Sequence, residues 1–95
     1  MLYNNKIILM NINELIAIVK KKLEKEIIIQ GLKIEDKSFL HKNHKGHQEG
    51  KFHIKLIINS DELSKTSKID STKKIYNILD LELKEYIHSI QILLN

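Results

Sequence analysis

The chain has no cysteine, no proline and no tryptophan, and all sixteen of its basic residues are lysine. Without cysteine there is no disulfide framework and no thiol nucleophile. Any metal or iron–sulfur site must then draw on histidine, carboxylates or the thiols of another molecule. Without proline, and with glycine only at positions 31, 46 and 50, the chain is built mostly of regular elements. Without arginine it lacks the planar fork that clamps phosphate and reads guanine. Lysine, isoleucine and asparagine stand where arginine, alanine and glycine could serve, a bias expected of an A·T-rich coding sequence. The net charge of +4 is therefore weak evidence for nucleic-acid binding. No run of about 18 apolar residues is present to span a membrane. The start, MLYNNKIILMN, is too weakly charged and too short in its apolar part for a signal peptide. These absences point to a cytoplasmic protein with no membrane partner. A chain of 95 residues is one domain, able to bury roughly 60–65% of its unfolded surface.

What the chain does have is histidine, gathered in one stretch. Residues 36–60 read DKSFLHKNHKGHQEGKFHIKLIINS. His41, His44 and His47 are spaced three apart in a polar segment, and His53 stands near the start of the clearest strand, Phe52 to Asn59. Histidine is the commonest metal ligand and titrates near neutral pH. A connection longer than about 12 residues is often functional or disordered. Two readings of the three segment histidines stand side by side: solvated polar residues, or direct ligands for Zn²⁺, Cu²⁺ or Ni²⁺, which imidazole suits. His53, on the strand, is read as structural.

Taken in order, residues 1–10 read as an N-terminal extension that need not be ordered, with Met10 an alternative initiator, and 11–95 as the folded domain. Asn11-Ile12-Asn13-Glu14 fits a capping box, and Ile12, Leu15, Ile16, Val19 and Leu23 then recur at helical spacing. Ile27-Ile28-Ile29 favours strand. Leu32 and Ile34 alternate with Lys33 and Glu35, as in a strand with one wet face. Ile54, Leu56 and Ile58 face one way and His53, Lys55, Ile57 and Asn59 the other. Ser60 and Ser67 cap two helices. In the second, Ile69, Thr72, Tyr76, Leu79 and Leu83 form the inward stripe, widened by Ile75 and Ile78. Ile87 to Leu94, carrying His88, is the last strand. The order αββααβ predicts two antiparallel strands and a third parallel to the second through a right-handed helical crossover. The expected fold is an α+β sandwich, a three-stranded mixed sheet with helices packed on one face.

Four motifs in this order resemble the BolA family over about residues 12–93. They are Asp36-Lys37-Ser38-Phe39-Leu40-His41 with His44 following; His53-Ile54-Lys55 leading a strand to Ser60; Ile75-Tyr76 in the last helix; and Ile87-His88-Ser89-Ile90 at the last strand. Two family features are replaced: Phe-x-Gly-Lys by Leu63-Ser64-Lys65-Thr66, and Arg-His-Arg by Ser71, Thr72 and Lys73. The resemblance implies a class II KH-like fold and partnership with a monothiol glutaredoxin. It further implies a shared [2Fe–2S] cluster, serving iron–sulfur trafficking or iron sensing. The glutaredoxin and a bound glutathione would give thiolates. This chain would give His88 and one loop histidine from His44, His41 and His47, and would be monomeric when free. The alternative is a DNA-binding transcriptional regulator of KH-like fold, with Lys65, Lys68, Lys73 and Lys74 on phosphate. No GXXG loop for clamping a nucleic-acid backbone is present. Nothing in the chain suggests an enzyme: it has no phosphate-binding glycine loop and no paired carboxylates, and Ser38 near His41 is a coincidence of sequence.

Overall fold

The structure, a computed structural model, describes residues 10–38 and 51–95. The elements are α1 (Ile12–Glu26), β1 (Gly31–Asp36), β2 (Phe52–Asn59), α2 (Asp61–Ser64), α3 (Lys68–Ile78), α4 (Asp80–Glu85) and β3 (Ile87–Leu94). The sheet order is β1-β2-β3, with β1 antiparallel and β3 parallel to β2. The expected α+β sandwich is therefore present. The expected N-terminal extension falls, apart from Met10, on residues outside those described.

α1 starts where the sequence says it should. The Glu14 N–H donates to Asn11 Oδ1 at 2.8 Å and the Asn11 N–H to Glu14 Oε1 at 3.2 Å, closing the capping box. Its buried stripe, Leu15, Val19 and Leu23, shares one core with Ile54, Leu56 and Ile58 of the central strand and with Ile75 and Leu79 of the crossover. Each such side chain contributes roughly 1.5–3 kcal/mol on burial, so β2 and α1 together carry much of the fold's apolar stabilisation.

Two expectations about the elements are corrected. Ile27-Ile28-Ile29 is not strand. The Ile28 N–H donates to Glu62 Oε1 at 3.0 Å, and its carbonyl accepts from Ser60 Oγ at 2.7 Å. With both backbone groups taken by side chains of α2 and its cap, the segment satisfies its hydrogen bonds without a ladder. Ile27 is buried while Ile28 stays 70% exposed.

The last long helix is also different. It breaks at Leu79, whose ψ of 19° is not helical, into α3 and α4. Its buried face is turned from the expected stripe: Ser71, Ile75, Leu79 and Glu82 point inward, while Ile69 and Tyr76 are exposed. Ser71 can lie inward because its hydroxyl donates to the Leu63 carbonyl at 3.2 Å and shares a 2.7 Å bond with Thr66 Oγ1. A small, satisfied side chain lets α3 sit close to α2 with no polar atom stranded.

Glu82 is a buried carboxylate held by one cation. Its Oε2 lies 2.7 Å from Lys22 Nζ of α1, and Oε1 has no hydrogen-bond partner among the described residues. Removing the cation strands the charge. Lys22→Ala is expected to lower unfolding stability by about 2–3 kcal/mol. Lys20→Ala, which removes an exposed i,i+4 pair with Glu24, should change it by about 0.5 kcal/mol or less. Urea denaturation of both variants checks this; equal losses would show that the Lys22–Glu82 pair is no stronger than a surface pair.

Glu62 ties α2 to α3 and to the segment between α1 and β1, accepting from Ile28 N–H and, at 2.8 Å, from Lys74 Nζ. The backbone bond and then Lys74 hold its carboxyl below the ordinary glutamate range. A carboxyl lowered in the folded state stabilises the fold above its unfolded value and loses that contribution as pH falls through the folded value. The loss lies in acid, roughly below pH 4.3. Glu62→Gln should therefore show a smaller drop in Tm between neutral and acid pH than the parent, read by circular dichroism melts.

Candidate functional site

The site is built by an irregularity in the β2–β3 ladder. Phe52 pairs with Ile87, but the next residue, His53, pairs with Ser89. His88 is the extra residue, a bulge in a parallel pair. Bulges re-aim side chains and increase local twist. Here the slip breaks the alternation of β3. Ile87 is buried, both His88 and Ser89 are exposed, and Ile90 turns back toward the core opposite Ile54. Two consecutive side chains thereby stand beside His53.

Each of them meets it. The Ser89 Oγ lies 2.6 Å from His53 Nδ1. The rings of His53 and His88 lie 4.9 Å apart, tilted by 58°. The backbone of His53 is held as well. Its N–H donates to Ser38 Oγ at 3.1 Å, and its carbonyl accepts from Lys37 N–H at 2.7 Å. Ser38 is in turn held by its own N–H, which donates to Asp36 Oδ1 at 2.9 Å. The end of β1 thus grips the start of β2, and a buried histidine, 6% exposed, is presented next to an exposed one.

The sequence singled out His88, and it stands in the open at the slip. It assigned His53 a structural role on the outer face of β2. The face is as expected, and the ring is in contact with His88. The part played by Ser89 was not legible, because strict alternation would set it on the opposite face from His88. Nor was the sheet order, whose central β2 lies against β3 and brings His53 beside His88. His41, His44 and His47 lie outside the described residues. Among the described residues no group of three or more His, Cys, Asp or Glu side chains is gathered to hold a metal ion.

The four lysines considered for phosphate sit apart from this site. Lys65 caps the end of α2, and Lys68, Lys73 and Lys74 ride on α3; all are exposed. Lys74 is engaged by Glu62. Lys68 and Lys73 flank Ile69 and Tyr76 around an open depression of about 560 Å³ that contains no histidine. No helix among the described residues is long and apolar enough to cross a membrane.

The chain is similar to several known proteins. The chain is 32% identical over 73 residues to the DNA-binding transcriptional regulator BolA of Haemophilus influenzae, covering 77% of this chain and 68% of that protein. It is 33% identical over 79 residues to SufE-like protein 1, chloroplastic/mitochondrial, of Arabidopsis thaliana. There it covers 78% of this chain but spans only 21% of that longer protein. The solved BolA domain of SufE1 from Arabidopsis thaliana superimposes with a TM-score of 0.69 at 33% identity, over 83% of this chain and 87% of that one. The family described as BolA-like protein matches residues 23–95, the span that holds the sheet, the slip and both described histidines, and the chain belongs to the BolA family.

Proposed function

We propose that this protein is the imidazole-donating partner of a monothiol glutaredoxin, the two holding a [2Fe–2S] cluster between them with glutathione, in iron–sulfur trafficking or iron sensing. The observation that carries the reading is an exposed His88, placed at a ladder slip against the buried His53, in a BolA-family chain that has no cysteine.

The donor set fits half of such a group. Imidazole nitrogens are the neutral donors on offer here, and with no cysteine in the chain the thiolates must come from the partner. His88 is reachable from outside because it is exposed, and the strand beneath it keeps it in place. Exchange of thiolate for neutral imidazole makes a cluster less negative and raises its potential. Imidazole ligates only when the coordinating nitrogen is unprotonated, so binding weakens in acid.

The test is a titration of a [2Fe–2S]-loaded monothiol glutaredoxin, followed by visible absorption and circular dichroism. The parent protein should change the spectrum and saturate at one-to-one. His88→Ala should abolish or alter that change while leaving the fold within about 0.5 kcal/mol of the parent, as expected for an exposed residue. An unchanged spectrum with the parent, together with no complex on gel filtration, would refute the reading.

A second reading is supported by the name of the Haemophilus influenzae relative: binding of DNA through Lys65, Lys68 and Lys73. If lysine charge is the whole basis, affinity for duplex DNA should fall steeply with salt and show no sequence preference. Replacing Lys68 and Lys73 by glutamine should flatten the salt dependence by about two counterions. Fluorescence anisotropy at several salt concentrations measures both, and an unchanged slope would remove α3 from consideration.

A further inference from the structure

We propose that β3 is a self-pairing edge: two copies of this chain join antiparallel through residues 90–94, making one continuous sheet from both. The inference stands apart from the glutaredoxin reading and uses none of the histidines.

The backbone gives the first argument. β3 is the outermost strand of its sheet on one side and β1 on the other. The Asn95 N–H donates to the Ile58 carbonyl of β2 at 2.9 Å. Backbone groups of successive strand residues point to opposite sides. In this stretch the N–H and C=O of Ile90, Ile92 and Leu94 therefore point away from β2. Among the described residues no strand takes them up.

The side chains give the second. Exposed edges are ordinarily guarded by charge, proline, shortness or a bulge. β1 is short and carries Lys33, Glu35 and Asp36. β3 runs over Ile87–Leu94 with no lysine, aspartate, glutamate, proline or glycine. Its slip at His88 distorts only the first part, and residues 90–94 lie in regular register with residues 54–58.

The third argument is self-complementarity, which selects a second copy as the occupant. A two-fold axis at Ile92 sets Ile92 against its own copy and Ile90 against Leu94. These are the residues whose backbone groups point outward, and each such pair exchanges both of its hydrogen bonds. Ile90, Ile92 and Leu94 are half-buried at the rim of the core, so the pairing covers apolar surface on that side. On the other face Gln91 meets Leu93, which is 43% exposed. No charge lies opposite a like charge in the pairing. On that outer face Lys55, which pairs with Gln91, would stand three strand spacings from its copy. That is roughly 14 Å, beyond the screening length at physiological salt. The contact is isologous and closes at two copies. It leaves His88 outside the paired stretch. Because it is smaller than a standard interface, a micromolar Kd is expected, where the family resemblance implied a free monomer.

Sedimentation velocity on the full chain, from micromolar to millimolar concentration, tests this. A reversible monomer–dimer equilibrium is expected. The double variant Gln91→Lys/Leu93→Lys sets like charges opposite each other across the axis and should raise Kd at least about tenfold. Both sites are exposed, and circular dichroism should show an unchanged fold. Mixing that variant with Gln91→Glu/Leu93→Glu should restore a dimer, now of unlike chains, that neither variant forms alone at the same concentration. A parent that stays monomeric at millimolar concentration overturns the proposal, and so does a dimer that the lysine substitutions leave unchanged. The result on the parent, and the recovery on mixing, decide the matter even where one variant alone is poorly folded.

Discussion

Everything in this molecule turns on how β3 lies against β2. A parallel pair cannot be closed by a hairpin, so the chain must leave the sheet, cross the core as α2, α3 and α4, and return. That return sets β2 in the middle of the sheet and buries Ile54, Leu56 and Ile58 beneath α1. It also fixes the register in which β3 arrives. Because side chains alternate along a strand, one extra residue changes which face the following side chains use. The slip at Phe52 and His53 does this just before the core pairs begin. Below it Ile54 meets Ile90 and Leu56 meets Ile92 on the buried side. Above it two polar side chains share the outer side. A packing requirement and a site are met by the same irregularity.

The chemistry that follows is limited by what the chain lacks. No thiol is present to form a disulfide or to hold a metal or cluster unaided. Imidazole is a weaker donor to iron than thiolate and binds only when unprotonated, so such a site gives up what it holds more readily than a cysteine site would. The outer face around the histidines is mixed in charge: Lys33 and Lys37 both bind Glu35, at 3.1 and 3.2 Å, and hold its carboxyl below the ordinary range.

Much of this was legible in the residues because local chemistry decided it. Asn11, Ser60 and Ser67 cap helices as their side chains allow, and the alternation of β2 gives its faces correctly. The misreadings share one cause, which is that tertiary hydrogen bonds overrode apolar pattern. Ile27 to Ile29 looks like strand until Glu62 and Ser60 take the backbone of Ile28. Tyr76 looks like core until Ser71, with its hydroxyl satisfied by Leu63 and Thr66, takes the inward place. His88 was singled out through a family motif, and His53 was placed on the right face of β2. Their contact depends on sheet order and on a one-residue slip, neither of which leaves a mark in the amino-acid pattern.

The slip has a kinetic meaning as well. His53 and Ser89 are 36 residues apart in the chain, and their strands can pair only after the whole helical crossover has been closed, at an entropic cost that rises with loop length. Pairings of this non-local kind form late and slow folding. His53 and His88 therefore come together only when the sheet is complete. A pairing that waits for the whole crossover confines this juxtaposition to the completed fold.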